Sequence, residues 1–568
     1  MPAMRTLVLA LLLFASNLFA ATHAEKIDAL LASYNKLRYF NGSALVAEKG
    51  QVILHKGYGL ANMEWQIPNA PDTKFRVGSI TKQFTSMVVM QLVNEGKIKL
   101  DDKITVYLPD YRKDTGDKVT VRHLLTHTSG IPSYTSAPGF FANESRDPYS
   151  VADFVKKFTS GDLEFEPGTK WVYDNSGYFL LGAIIERAAG KSYEQAVKER
   201  IFEPLGMKDS GYDRWSTVLP KRAQGYQLTP DGYQNAPYLD MSIPYAAGSL
   251  YSTVDDLYKW DRALYPDKLL PAELKKTMFT PVMNNYAFGW LVKPMKLDDS
   301  KKTEVATIAH NGGINGFNTV EIRMPDTQDL VVLFDNTSRG DKIDAAAQGI
   351  IDILHDVEAP APKASIVDEL MKALAGGDGR AAVARYRELK AKSPNGYDFS
   401  ESEINNLGYR MLQRNRVADA IEIFLLNVEE NPKSSNTYDS LGEAYAAHGD
   451  RDLAIANCKK SLELNPKNDN AAAVIKRLEN PNPPEKVDAA TLDKYVGTYE
   501  LAPGFNLVIT RDGDKLSAQA TGQQKFELVT DSATEFHLTV VPARLTFAAD
   551  GSSLTLHQGG RDVPGKRK

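Results

Sequence analysis

"FRVGSITKQFTSMVVM", residues Phe75 to Met90, sets a serine and a lysine three apart where irregular sequence gives way to an apolar run. Phe84, Val88, Met90, Leu92 and Val93 recur as they would on a buried helix that begins close to Ser79. A serine in a helix's first turn is favoured simply as a cap. The same placement puts its oxygen in the positive field of the helix N-terminus, with Lys82 one turn on and facing the same side. A buried amine there can lose its charge and accept the serine proton. The pattern Ser-x-x-Lys recurs as Ser33-Tyr34-Asn35-Lys36, so the tetrapeptide decides nothing until its surroundings are read.

With 568 residues, 43% of them hydrophobic, the chain has more material than one core usually holds, and several compact units are expected. Charged residues make up 24% and the formal net charge is -5, so no broad basic surface exists to neutralise phosphates, and nucleic acid is not an expected partner. Arg5, the apolar run Leu7 to Ala15 and the small residues up to Ala24 are the parts of a secretory signal, residues 1–24, cleaved most simply after Ala24. A membrane anchor needs about 20 apolar residues, and Ser16 and Asn17 interrupt the run sooner. The mature protein is expected in the periplasm or outside the cell, without a stable membrane anchor. Its one cysteine, Cys458, leaves it without disulfides and reads as a small buried apolar residue.

Two proline-rich stretches, Glu358 to Lys363 and Asn480 to Glu485, read as linkers. Between them, in 365–480, Leu407-Gly408, Ala420, Phe424 and Pro432 recur 34 residues later as Leu441-Gly442, Ala454, Cys458 and Pro466. That period resembles the tetratricopeptide repeat, an all-α unit. A weaker copy lies upstream, in Gly377-Asp378, Ala382, Tyr386 and Pro394. Such repeats hold protein or peptide partners on a concave face or brace a neighbouring domain. Residues 488–568 turn to short alternating runs punctuated by Asp512-Gly513 and Asp550-Gly551, which predict a small antiparallel barrel or sandwich.

The front unit, residues 25–357, mixes strand-like stretches such as "GSALVAEKGQVILHKGYG" with helical ones such as "SGYFLLGAIIERAAG", an α/β or α+β pattern. Within it, Tyr173-Asp174-Asn175 forms a polar break before an apolar helix. His310-Asn311-Gly312-Gly313 ends a strand-like run in glycines that let a backbone approach a ligand closely. These two segments and Ser79 join "VTVRHLLTHTSGIP" (119–132) and "AAGSLYSTVDDLYKW" (246–260) in one order along the chain. The set resembles the serine β-lactamase and penicillin-binding protein superfamily, in particular its class C-like branch of β-lactamases, D-alanyl-D-alanine carboxypeptidases, D-aminopeptidases and esterases. The resemblance implies an α/β domain of antiparallel sheet flanked by helices, joined to a helical lobe, with the site in the cleft between them.

By that resemblance Ser79 is the nucleophile of an acyl-enzyme, Lys82 its proton acceptor, and Tyr173 the partner base and proton shuttle to the leaving group. Asn175 holds the substrate's amide, and the N–H groups of Ser79 and Gly313 meet the oxyanion. Which of Lys82 and Tyr173 takes the first proton stays open. Two departures bear on the substrate. His310-Asn311-Gly312 stands where β-lactamases and many carboxypeptidases carry Lys-Thr-Gly, so an imidazole of ordinary pKa, mostly neutral at pH 7, replaces a permanent cation. Protonation toward pH 6 would restore that cation. Asp174 adds a negative charge where serine or alanine is commoner, disfavouring an anionic substrate or favouring one with a free amine.

The expected substrate is therefore a small molecule or peptide cleaved at an ester or amide bond, with β-lactam breakdown the alternative. His123 and His127, four apart, could share a helix face as metal ligands. No Glu-x-x-His core surrounds them, and neither metal nor cofactor is expected. An inactive hydrolase fold kept as a binding scaffold is the remaining rival, and the intact Ser79, Lys82, Tyr173 and Asn175 argue against it.

Overall fold

The computed structural model describes residues 21–137, 139–229, 232–298, 303–479, 487–502, 505–538, 543–558 and 561–568. Most of the expected leader and the second proline-rich stretch therefore lie outside the described residues. The chain divides into two compact units, the first taking 21–136 and 145–362 and the second 137–144 and 363–568.

The first unit opens with helix α1, His23–Lys36. Thr22 accepts the Glu25 N–H and the Glu25 carboxylate accepts the Thr22 N–H, a reciprocal cap that straddles the expected cleavage point. Strands β1 (Gly42–Glu48) and β2 (Gln51–Tyr58) follow. Helices α2 (Thr81–Asn94), α3 (Val121–Leu125) and α4 (Asn175–Ala189) belong to the helical part. The chain then returns as β3 (Leu291–Asp298), β4 (Thr303–Ile314), β5 (Phe317–Met324), β6 (Asp329–Asp335) and helix α5, Gly340–Leu354.

The six strands form one antiparallel sheet in the order β3-β4-β5-β6-β1-β2. In β6, Leu330 to Phe334 is a continuous apolar run because both faces are covered. Val331 and Leu333 pack with Ile27, Leu31, Ile343, Ala347 and Ile350 of α1 and α5. The opposite face of β6 receives the helix Val254–Ala263. Sequence distance thus becomes proximity: the first strand of the unit pairs with the last, and the helices between them carry the polar segments of interest.

In the second unit, α6 (Ile366–Gly376), α7 (Gly379–Lys392), α8 (Glu401–Gln413), α9 (Val417–Glu430), α10 (Ser435–His448), α11 (Arg451–Leu464) and α12 (Asp469–Glu479) succeed one another. Neighbours pair where a glycine removes a side chain. A Cβ at Gly408 in α8 would lie 2.4 Å from the Phe424 ring of α9, and one at Gly442 in α10 would lie 2.6 Å from Cys458 Sγ of α11. The two contacts stand 34 residues apart, the spacing read in the sequence.

A short helix, Ala489–Tyr495, then leads into an eight-stranded closed barrel running from Gly497 to Arg567. Alternate residues such as Leu507, Ile509, Leu516, Ala518, Leu545 and Phe547 fill its interior. Asp512-Gly513 and Asp550-Gly551 turn between strands, and both glycines have the positive φ such turns need, 61° and 73°. Closure decides between the barrel and sandwich left open by the sequence. No helix among the described residues is long and apolar enough to cross a membrane.

Cys458 is fully buried, and burial pushes its thiol up to about 12. A thiol reagent at pH 8 should leave the native protein unlabelled and modify one thiol per chain in denaturant, read by absorbance or mass. Rapid native labelling would contradict this packing of α10 on α11.

Candidate active site

Ser79 sits in a single 3-10 turn, Gly78–Ile80, that leads into α2. The turn is held from two sides. The Val77 N–H donates to Leu250 O at 2.9 Å, and the Thr319 hydroxyl of β5 donates to Val77 O at 2.9 Å. Gly78 has φ +52, a left-handed conformation that glycine adopts without strain, and a Cβ there would lie 3.0 Å from the Gly313 nitrogen. The glycines of β4 thus let the strand lie directly against the turn, bringing the backbone of Ser79 and Gly313 together.

Ser79 does not cap a helix. The cap position of α2 is Ile80, with no side-chain capping bond. The partly buried Ser79 hydroxyl instead meets two side chains, Lys82 Nζ at 2.9 Å and the Tyr173 hydroxyl, which donates to it at 2.8 Å. The other Ser-x-x-Lys lies in α1, where Ser33 donates to Ala29 O and Lys36 is exposed. Lys82 Nζ also donates to Asn175 Oδ1 at 2.8 Å and Ala247 O at 2.9 Å, and its side chain has no exposed surface. Burial pushes its amine down to about 7, partly opposed by the charge of Asp174. Tyr173 moves the other way: burial raises its hydroxyl well above the usual range, keeping it protonated at neutral pH.

Asn175 is the first residue of α4, and Asp174 is its N-cap, accepting the Gly177 N–H. The amide of Asn175 is clamped by a loop: its N–H donates to Ser133 Oγ and its Nδ2 to Thr135 Oγ1, both at 3.1 Å. That leaves Oδ1 toward Lys82. Asp174 is only 3% exposed, so its carboxylate lies beneath the site and acts on Lys82; it does not face a substrate as the sequence alone suggested.

His310 on β4 is 8% exposed, and burial with the nearby Lys82 charge pushes it down to about 3. The sequence expectation that mild acid would charge it is corrected: it stays neutral at pH 6. Both ring nitrogens are taken, Nε2 by the Tyr286 hydroxyl at 2.9 Å and Nδ1 by Asn311 O at 2.6 Å. Gly312 packs on Val77 and Thr319, while Gly313 is exposed.

His123 and His127 do not share a helix face. Helix α3 ends at Leu125, and His127 lies beyond it in a left-handed conformation with φ +57. His123 Nδ1 accepts the Thr120 N–H, and the fully buried His127 packs among Tyr173, Tyr178 and Tyr286. Sequence reasoning missed the structural parts of the site. Asp174 could have been found as a cap from its place before an apolar helix. Tyr286, Ser133, Thr135 and Ala247 O carry no local signal.

Residues 27–354, more than half of the chain, match the family model described as Beta-lactamase, and the chain belongs to that family. Residues 481–563 match a domain of unknown function (DUF3471). The putative penicillin-binding protein PbpX of Bacillus subtilis (strain 168) is 31% identical over 328 residues, 57% of this chain and 78% of that protein. Esterase EstB of Burkholderia gladioli is 35% identical over 212 residues, 35% of this chain and 54% of the esterase. The solved D-amino acid amidase from Ochrobactrum anthropi SV3 superposes with a TM-score of 0.50 at 26% identity, over 59% of this chain and 98% of the amidase. The chain thus belongs to a β-lactamase-fold serine hydrolase family whose relatives include proteins named as a putative penicillin-binding protein, an esterase and a D-amino acid amidase.

A Cβ at Gly312 would lie 2.0 Å from Val77 O and 2.3 Å from Thr319 Oγ1, so Gly312→Ala must push β4 away from the Ser79 turn. A displacement of about 1 Å costs about 100-fold in rate. The variant should therefore keep its far-ultraviolet circular dichroism and lose about that factor in hydrolysis of an activated ester.

Proposed function

We propose that the chain is an exported serine hydrolase that cleaves an ester or amide bond through an acyl-enzyme on Ser79. One observation carries the reading. A reachable hydroxyl lies within hydrogen-bond distance of a fully buried amine and of a protonated phenol.

The amine's partners suit a base. A neutral lysine has two N–H bonds and one lone pair. With the N–H bonds on Asn175 Oδ1 and Ala247 O, the lone pair is left for the Ser79 proton. Ser79 Oγ attacks the substrate carbonyl carbon and its proton passes to Lys82, making an ammonium. The carbonyl oxygen becomes an oxyanion against the N–H groups of Ser79 and Gly313. Tyr173 gives its proton to the leaving oxygen or nitrogen as the tetrahedral intermediate collapses, and Lys82 returns a proton to Tyr173. Water then releases the acyl group by the same relay in reverse. This order makes Lys82 the first base, because a phenol raised above its usual range is the poorer acceptor at neutral pH.

His310 adds no cation at neutral pH, and its ring nitrogens are engaged within the protein. Uncharged esters and amides, the bond types named in two of the relatives, are therefore the favoured substrates over penicillins and free-carboxylate peptides. Export rests on the leader read in residues 1–24. Helices α8 to α11 are read as tetratricopeptide-like repeats offering a surface for a peptide or protein, on the strength of the 34-residue recurrence of their packing pairs.

The deciding experiment is labelling with an active-site serine reagent, followed by intact-mass spectrometry. Wild type should gain one adduct and Ser79→Ala none; equal labelling of both would remove Ser79 from the chemistry and leave the scaffold reading.

The pH dependence follows from Lys82. Its neutral form is active, so kcat/KM should rise with pH and level off above an apparent pKa of about 7. The Asp174 charge raises that pKa, so Asp174→Asn, which keeps a capping side chain, should move the acid limb to lower pH. An unmoved or alkaline-shifted limb would exclude Lys82 as the titrating base.

A further inference from the structure

We propose that His127 is the residue that positions Tyr173, acting through backbone as well as ring; the proposal rests on the proton-shuttle reading of Tyr173. The two residues that flank Tyr173 both hang from this one side chain and its carbonyl. The Val172 N–H donates to His127 O at 3.0 Å, and the Asp174 N–H donates to His127 Nδ1 at 3.2 Å. Between these two bonds the Tyr173 ring lies on the imidazole, with ring centroids 4.3 Å apart. The far sides of the imidazole meet Tyr286 at 4.6 Å and Tyr178 at 5.2 Å, which fix it in turn.

The imidazole Nδ1 meets Asp174 twice, at its backbone N–H at 3.2 Å and at its carboxylate Oδ2 at 3.6 Å. With Nδ1 accepting the Asp174 N–H, the ring proton sits on Nε2, an atom with no hydrogen-bond partner among the described residues, and burial favours the neutral ring against the pull of the Asp174 carboxylate. The backbone of His127 is left-handed at φ +57, a conformation that costs a side-chain-bearing residue free energy and persists where surrounding structure over-determines it. Here the strained residue is the one that brackets the phenol. The ring packs against Tyr173 itself, while its Nδ1 and the His127 carbonyl hold the residues on either side, Asp174 and Val172. The Tyr173 hydroxyl is thereby held 2.8 Å from Ser79 Oγ.

The test is a double-mutant cycle on the acylation rate in single turnover with an alkyl ester, whose alkoxide leaving group must take a proton as it departs. His127→Gly keeps the left-handed backbone free of strain and deletes ring and acceptor. His127→Asn tolerates the same conformation and retains a side-chain acceptor for the Asp174 N–H. His127→Gly should lower the rate about 100-fold with KM little changed, the scale of a 1 Å misplacement, and His127→Asn should recover part of the loss. In a Tyr173→Phe background the same substitutions should cost little more, since the residue acts through the lost hydroxyl. Full additivity of either His127 variant with Tyr173→Phe, or a wild-type rate in His127→Gly, overturns the proposal. If His127→Gly melts below the assay temperature, the cycle with His127→Asn decides the same question by the same criterion. A wild-type rate in Tyr173→Phe alone would overturn the shuttle reading of Tyr173, a distinct result.

Discussion

An amine sealed from water, with no carboxylate in contact among the described residues, is the constraint around which the catalytic unit is arranged. Lys82 is held by three neutral oxygens, from Ser79, Asn175 and Ala247, and its ammonium form loses most of the hydration it would have in water. A carboxylate in direct contact would restore the charge and silence the base. Among the described residues the acid that acts on it is Asp174, whose carboxylate caps the first turn of α4 with one oxygen and faces His127 Nδ1 with the other. A single residue therefore both starts the helix carrying Asn175 and sets how far the lysine is discharged. Helix formation and base strength are coupled by construction.

The second requirement is a joint between sheet and helices that admits no side chains. Ser79 belongs to the turn entering α2, whereas Gly313 belongs to a strand more than two hundred residues later. Their backbones meet because Gly78 and Gly312 remove the Cβ atoms that would hold β4 off the turn. Thr319 on the neighbouring strand ties Val77 down from the same side. The cross-strand pairing of β4 with β5 and of β6 with β1 then transmits the position of the sheet to the turn. This is a rigid arrangement, as a pair of oxyanion donors fixed before charge develops must be.

Much of this was legible in the residues. The apolar run after Ser79, the alternating strands of the barrel with their Asp-Gly turns, and the 34-residue recurrence each obey a local period, and local periods survive folding. The order of the polar segments pointed to the residues that now stand together around Ser79. Other parts were illegible for physical reasons. Ser133 and Thr135 act by clamping an amide brought to them by a different helix, and Ala247 acts through a carbonyl that every residue possesses. Tyr286 reaches His310 from a loop whose path nothing local dictates. The pairing of His123 with His127 failed because a four-residue spacing implies one face only while the helix continues, and α3 stops at Leu125.

His310 illustrates how a substitution read from sequence acquires a different meaning in place. As an isolated imidazole it would titrate near neutrality and serve as a weak, pH-dependent substitute for a lysine. Inside the protein it is dehydrated, stands in the field of Lys82, and has both nitrogens committed to Tyr286 and its own strand. Its charge is suppressed by the same burial that discharges the base, so the two effects have one origin. A permanent cation at this position would lower the pKa of Lys82 further still, because like charges in a site of low polarisability repel strongly. A neutral group here leaves Asp174 as the main charge acting on Lys82, and the site keeps a base poised near neutral pH at the cost of a fixed partner for a substrate's carboxylate.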